Sequence, residues 1–184
     1  MSGGIHAWEG LVADGPPDAG SASFLSTHSA SEMTALAWTL EENTRKFYLA
    51  LASLMKNPKA SQLMETLASA EEKHKASLLE VYQRITGNPE EPALITEGPP
   101  LLEGGADMER TLQWAEGKPV EEVLEIALAL ETNAYDRYLK MIELVEDEQA
   151  KEVFRVLSRE EKGHLDRLTA LLDEVLESDY AYSE

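Results

Sequence analysis

The chain has 184 residues, 43% of them hydrophobic, and no cysteine, which fits one globular domain and excludes disulfides, thiolate-ligated iron–sulfur clusters and a rubredoxin-type iron site. Its formal net charge of -19 opposes binding to nucleic acid phosphates and to anionic membranes. Because no apolar run approaches the ~20 residues of a membrane span and the N-terminus lacks a signal-peptide pattern, we expect a soluble, cytoplasmic protein that binds neither nucleic acid nor membranes.

The first segment of the chain shows neither helical nor strand periodicity. Residues 1–28 are rich in Gly, Ser, Pro and Ala, which predicts a flexible N-terminal arm, disordered or docked on a neighbour. The sequence SASE at residues 29–32 then has the spacing of a capping box, with a hydroxyl at the start and a glutamate three residues on. We therefore predict that a bundle domain covers residues 29–184.

Two predicted helices follow the capping box and form a first antiparallel hairpin. They cover about residues 30–56 and 59–86. Asn57 is a good N-cap and Pro58 a good first residue for the second helix, and Gly87 ends it.

The next segment, residues 87–118, is too long for a simple turn. It carries a cluster of prolines followed by a short helical pattern around DMERTLQWAEG, and we interpret it as a long crossover. A second hairpin follows, with helices at about residues 119–146 and 148–177. Since no segment alternates as a strand does, the sequence predicts an all-α four-helix bundle of two hairpins joined by a crossover.

The second hairpin repeats the first at a shift of about 90 residues. The sequence LEENTRKFYLALASLM from Leu40 aligns with LETNAYDRYLKMIELV from Leu130, and the turn at Asn57 aligns with Asp147. In each hairpin an aligned glutamate, Glu41 or Glu131, is followed about 30 residues later by a Glu-x-x-His pair. This pattern indicates an internal duplication.

The repeated acidic and histidine residues lie within the apolar stripes of the four predicted helices. They are Glu41, Glu71, His74, Glu131, Glu161 and His164. Their similar distances from the two turns predict that the six side chains meet at mid-bundle. Burying four ionised carboxylates costs several kcal/mol each unless cations compensate them, and two metal ions would do so. Carboxylate and imidazole ligands suit iron or manganese and also admit zinc, so the ligand set leaves the metal open.

These residues resemble the ferritin-like superfamily, and most closely the rubrerythrin-type di-iron carboxylate domain. The likeness covers about residues 29–176 and rests on Glu41, Glu131 and the sequences EEKH and EKGH, which end at His74 and His164. It implies a ferritin-like bundle that holds two metal ions, iron in the first place, and reduces hydrogen peroxide or dioxygen under oxidative stress. Rubrerythrins typically carry a further glutamate where this chain has Ala134. A C-terminal rubredoxin module is also missing, so we expect electrons to come from a separate donor protein.

Some residue assignments stay open. Glu160 lies near the same stripe and is an alternative to Glu161, although the repeat favours Glu161. Three stripe tyrosines are more often core residues than partners of metal ligands. They are Tyr48, Tyr135 and Tyr138. Asn43 and Asn133 are predicted to be surface positions.

Three functions are compatible with this pattern. The leading interpretation is an enzyme, a di-iron oxidoreductase of the peroxidase type, with peroxide or dioxygen as substrate. The second is a ferroxidase or iron storage protein, for which iron is the substrate. The third is a redox-silent metal-binding scaffold. In each case, four amphipathic helices and an additional arm predict a homodimer.

Overall fold

The computed structural model describes residues 29–92 and 99–181, so the arm predicted for residues 1–28 lies outside it. Its helices are α1 (Ala30–Leu54), α2 (Pro58–Thr86), α3 (Met108–Ala115), α4 (Val120–Leu144) and α5 (Glu148–Ala181). A 3-10 turn, Glu103–Gly105, precedes α3. Over these residues the structure confirms the predicted all-α bundle, in which α1 packs on α2 and α4 packs on α5.

Local sequence signals explain where the helices begin and end. The Ser29 hydroxyl accepts the Glu32 backbone N–H at 3.2 Å, as a capping box requires. The Asn57 side chain likewise accepts two backbone N–H groups at the start of α2. Gly87 ends α2 with φ 69°, a left-handed backbone conformation that glycine adopts without the strain that a Cβ atom causes in other residues. In the second hairpin, Asp147 accepts the Ala150 N–H at 2.6 Å and so caps α5.

The apolar core of the bundle forms two clusters. One cluster lies towards the α1–α2 turn and includes Leu51, Met64 and Leu124. The other lies towards the opposite end and includes Leu78 and Phe154, among others. The predicted glutamates of all four long helices, and the histidines of α2 and α5, lie between these clusters. The two clusters therefore enclose a polar layer.

The crossover contacts α1 at a residue predicted to face water. From Met33 to Thr44 every residue of α1 is buried. The Asn43 amide donates to the Leu101 carbonyl of the crossover at 2.9 Å and is 5% exposed. The prediction that Asn43 is a surface residue is therefore wrong, because helical periodicity does not show where the crossover packs.

The repeat-related residue Asn133 also contacts the crossover. It is half-buried beside Gly104, whose φ is 76°. A Cβ atom at Gly104 would overlap the Asn133 amide. Thus one asparagine from each hairpin holds the 3-10 turn against the bundle. Among the described helices, none has the length and apolar character needed to cross a membrane.

Candidate metal centre

The structure brings the six predicted side chains together in one buried layer. Each of the four long helices contributes to it: Glu41 from α1, Glu71 and His74 from α2, Glu131 from α4, and Glu161 and His164 from α5. All six are at most 1% exposed. Their helices place them between the two apolar clusters, which exclude bulk water and strengthen electrostatic interactions inside the layer.

The six residues form two overlapping groups that can each hold a metal ion. The ligand atoms within each group lie within 4.8 Å of one another. We call the first group the Glu41 position; its members are Glu41, Glu71, His74 and Glu161. We call the second group the Glu131 position; its members are Glu71, Glu131, Glu161 and His164. Because two carboxylates belong to both groups, the arrangement suits a pair of neighbouring cations.

The hydrogen bonding of the layer supports this interpretation. Glu71 Oε2 and both carboxylate oxygens of Glu161 are buried and lack a hydrogen-bond partner among the described residues. They lie 2.9 to 3.2 Å from the Nδ1 atoms of His74 and His164, but without hydrogen-bonding geometry. A buried polar group left unsatisfied costs about 1–3 kcal/mol. Unsatisfied oxygens and nitrogens that converge on one point fit metal ions, which would bind all of them.

Burial and mutual repulsion change the acidities of these groups. Burial, together with the charge of Glu161, raises the pKa of Glu131 to about 8. Burial and then the charge of Glu41 raise the pKa of Glu71 well above its usual value. Burial opposes the charged form of His164, but the hydrogen bond to Glu131 and the neighbouring Glu161 carboxylate outweigh it and raise the pKa to about 9. The metal-free layer therefore holds protons that metal binding must displace.

Two repeat-related tyrosines support the candidate ligands across the bundle. The Tyr48 hydroxyl of α1 donates to Glu131 Oε1, and the Tyr138 hydroxyl of α4 donates to Glu41 Oε1. Burial, followed by the charge of the bonded glutamate, raises the pKa of both phenols well above 10, so both stay protonated. These residues are core and hydrogen-bonding partners at once. Tyr135 lies partly exposed on α4.

The structure distinguishes Glu161 from its alternative Glu160. Glu161 is fully buried and belongs to both groups. The side chain of Glu160 is 53% exposed, but its Oε2 lies 3.1 Å from His74 Nε2, on the side of the ring that faces away from the other ligands. Glu160 is therefore placed to orient His74 and not to bind a metal in either group.

Two further buried residues at the centre were missed by sequence reasoning. Arg137 of α4 donates from Nη2 to Glu41 Oε1 at 2.7 Å and forms an ion pair with Glu103 of the crossover. Both side chains are at most 4% exposed. One signal was available: Arg137 aligns in the repeat with Phe47, a fully buried residue of α1. An arginine at an inward position indicates a buried acidic partner.

A cleft between α2 and α5 connects the centre to the surface. It has a volume of about 430 Å³ and reaches both His74 and His164. Lys73, Glu160 and Arg167 line its outer part. A molecule as small as peroxide or dioxygen has room to enter this cleft.

Fold and centre together define a ferritin-like helical domain with a buried carboxylate and histidine cluster able to hold metal. The family model Rubrerythrin matches residues 32–172, and the chain belongs to the rubrerythrin family. The chain is also similar to the solved structure of a hypothetical protein from Pyrococcus furiosus. The two are 28% identical with a TM-score of 0.64, over 81% of this chain and 91% of that chain. Comparison with curated protein sequences gives no match.

Proposed function

We propose that this protein is a di-iron oxidoreductase that reduces hydrogen peroxide or dioxygen. The observation that carries the proposal is the buried layer of four carboxylates and two imidazoles, arranged as two groups that share two carboxylates. Membership of the rubrerythrin family supports the assignment of two metal ions to this layer. Iron is the metal we propose, because oxygen and imidazole ligands suit it and because the reaction needs a redox-active ion.

The bound irons would supply electrons and Lewis acidity for the reduction. Reduction of one peroxide to two waters takes two electrons and two protons, which matches a pair of ions that each change by one charge. Four carboxylates around two divalent ions balance their charge, so the layer can accommodate the reduced state without unpaired charge. We propose that a separate donor protein restores the electrons.

The chain's own residues contribute position and access. Tyr48 and Tyr138 each donate to a candidate ligand and hold its carboxylate in one orientation. Their phenolic protons remain on Oη at neutral pH, because their pKa values are raised well above 10. The cleft beside His74 and His164 admits a small oxidant, while the apolar clusters on either side keep larger molecules and bulk water out.

The test is anaerobic loading of metal-free protein with ferrous iron, followed by one equivalent of hydrogen peroxide. We expect two irons per chain and a rapid rise in near-ultraviolet absorbance as the irons become ferric. Glu71→Gln removes a carboxylate shared by both groups and should abolish the change, whereas Glu80→Gln, at an exposed position of the same helix, should leave it intact. A loaded ferrous protein that does not react with peroxide would refute the oxidoreductase.

The same experiment, with zinc offered in competition with iron, separates the two alternative functions. Oxidation of ferrous iron that continues well beyond two ions per chain would identify a ferroxidase or iron storage protein. Preferential loading with zinc, and no response to peroxide, would identify a redox-silent scaffold. We further propose a cytoplasmic homodimer. Sedimentation of the purified protein would test the dimer, and fractionation of the cells that produce it would test the location.

A further inference from the structure

The internal repeat makes the two metal positions similar, but a contact of Glu41 breaks the similarity. Each position has a glutamate from α1 or α4 that accepts a hydrogen bond from the repeat-related tyrosine of the other helix. Only Glu41 also accepts from a buried arginine, Arg137, at 2.7 Å. Within the described residues the repeat equivalent of Arg137 is Phe47, which carries no donor. The two glutamates therefore differ in charge environment although their backbone positions correspond.

Arg137 acts on one particular oxygen of Glu41. Its Nη2 and the Tyr138 hydroxyl both donate to Oε1, and its guanidinium lies 4.6 Å from the centre of the Tyr138 ring. The other oxygen, Oε2, lies 3.7 Å from Nδ1 of His74 and faces the layer. With Oε1 held by two donors, Oε2 is the oxygen that remains for a metal ion.

The crossover supplies the counter-ion of this arginine. Glu103 lies in the 3-10 turn, is 3% exposed, and pairs with Nη1 of Arg137, whereas Glu41 accepts from Nη2. Asn43 of α1 holds the segment before the turn through the Leu101 carbonyl, and Asn133 of α4 packs on Gly104. Residues from both hairpins thus fix the turn that carries Glu103. The crossover is a structural part of the centre as well as a connection.

The charges of this pair predict its effect on a bound cation. The arginine contacts the ligand Glu41 directly, whereas Glu103 contacts the arginine and belongs to neither ligand group, so we infer that a metal ion at the Glu41 position is closer to the positive member of the pair. Glu160 beside His74 acts in the opposite direction, but its side chain is 53% exposed and its charge is screened by water. Arg137 is 4% exposed and is screened much less, so its repulsion is the larger effect.

We propose that the Glu103–Arg137 pair positions Glu41, restricts it to one ligand oxygen, and makes the Glu41 position the weaker of the two metal positions. The inference rests on the two-metal centre of the proposed function. Metals then fill the centre in order, the Glu131 position first, and the Glu41 position exchanges its ion more readily.

Titration of the metal-free protein with Co²⁺, followed by visible absorption and calorimetry, tests this order. We expect two binding steps whose dissociation constants differ by about tenfold or more, the size of effect that partners of metal ligands typically have. His74 belongs only to the Glu41 position and His164 only to the Glu131 position. Accordingly, His74→Ala should remove the weaker step and His164→Ala the tighter one.

Two variants of the pair separate a charge effect from a merely structural one. Glu103→Gln leaves the arginine's charge without its counter-ion and should weaken the second step further. The double variant Glu103→Gln and Arg137→Gln removes both charges and should tighten the second step by about tenfold, close to the first. Arg137→Lys keeps the charge and should keep the two steps apart. Circular dichroism establishes that each variant is folded before titration.

Several results would overturn the inference. They are equal affinities in the native protein, loss of the tighter step in His74→Ala, and shifts in the same direction for the single and double variants. If the double variant does not fold, Glu103→Gln and Arg137→Lys provide the test. The proposal expects the second binding step to weaken in Glu103→Gln and not in Arg137→Lys. Weakening in both variants, or in neither, contradicts it. Failure of the native protein to bind any metal would instead refute the proposed function.

Discussion

The first hairpin, α1–α2, and the second, α4–α5, contribute the same ligand types to the buried layer but receive different support. The Glu131 carboxylate of the second hairpin lies 3.0 Å from His164 Nδ1 and accepts from Tyr48. The corresponding Glu41 lies 3.7 Å from His74 Nδ1 and accepts from Arg137 as well as from a tyrosine. Duplication therefore accounts for the ligands, whereas Arg137, which stands where the repeat has Phe47, and its partner Glu103 in the crossover account for their inequality.

The largest effect is expected from Glu71, which belongs to both positions and so tests what the hairpins share. Glu71→Gln should weaken metal binding by more than about 100-fold, because even partners of ligands are worth about 10–100-fold. The stability of the metal-free protein should change little, since the raised pKa of Glu71 means that its neutral acid form, which glutamine imitates, is the one present. Metal analysis after dialysis and thermal unfolding check the two parts. Unchanged metal content would contradict the shared role.

A matched pair, Arg137→Ala and Phe47→Ala, tests the residue at which the hairpins differ. Loss of Arg137 leaves the buried Glu103 unpaired, which we expect to destabilise the metal-free protein by about 3–5 kcal/mol. Loss of Phe47 leaves a cavity, and we expect a similar cost of about 3–5 kcal/mol. The two mechanisms separate when Glu103→Gln is added: it should restore stability to the arginine variant and not to the phenylalanine variant. Urea unfolding measures all four proteins, and equal responses would refute the ion-pair account.

The dependence of stability on pH tests the two titratable groups of the second hairpin, Glu131 and His164. Burial and Glu161 raise the pKa of Glu131 to about 8, and hydrogen bonds raise that of His164 to about 9. A group whose pKa is raised by folding stabilises the protein fully at pH values below its unfolded-state pKa. This stabilisation is lost as the pH rises through its folded-state pKa. The melting temperature of the metal-free protein should therefore fall between about pH 5 and 9.

Metal binding should show the opposite trend over the same range. Because bound protons must leave, affinity should rise from about pH 6 to 9, and calorimetry in buffers of different ionisation enthalpy should detect proton release. The variant Glu131→Gln should flatten the dependence of stability on pH. A metal-free protein whose stability rises with pH would contradict these assignments.

The smallest effect compares Tyr48→Phe with Tyr138→Phe. Above about pH 8, where Glu131 is ionised, each variant removes one hydrogen bond to a carboxylate, worth about 1.5–3 kcal/mol for a charged partner. Tyr48→Phe should cost more stability and more metal affinity, since Glu41 keeps the Arg137 bond when Tyr138 is changed. Urea unfolding and Co²⁺ titration provide the two measurements. Equal losses would mean that Arg137 does not compensate for the missing hydroxyl.

The bundle and the ligand layer were accessible from sequence because both depend on short-range periodicity. Helical spacing placed Glu131 and His164 on inward faces, and the repeat selected Glu161 over Glu160, which the structure places on the exposed side. Similar distances from two turns were enough to predict that the side chains meet. The roles of Tyr48 and Tyr138 were left open, since helical spacing shows that a residue faces inward and does not show which partner it meets.

The surroundings of Glu41 could not be predicted in the same way. The interpretation of Asn43 as a surface residue was wrong, because its exposure depends on where a segment more than fifty residues away packs. Glu103 lies in a segment without periodicity, and its partner Arg137 is 34 residues further along the chain, by the difference of their numbers. Nothing in local spacing relates such a pair.

By itself, then, the sequence determined the helices, the duplication and the six candidate ligands, because caps, apolar stripes and turn distances are set by neighbours within a few turns of helix. Only the tertiary structure decided how the crossover lies on α1 and α4, and with it the contact of Arg137 with Glu41 and Glu103. Packing of a non-periodic segment depends on the whole surface that it covers. The proposed inequality of the two metal positions depends on Arg137 of α4 and on that packing.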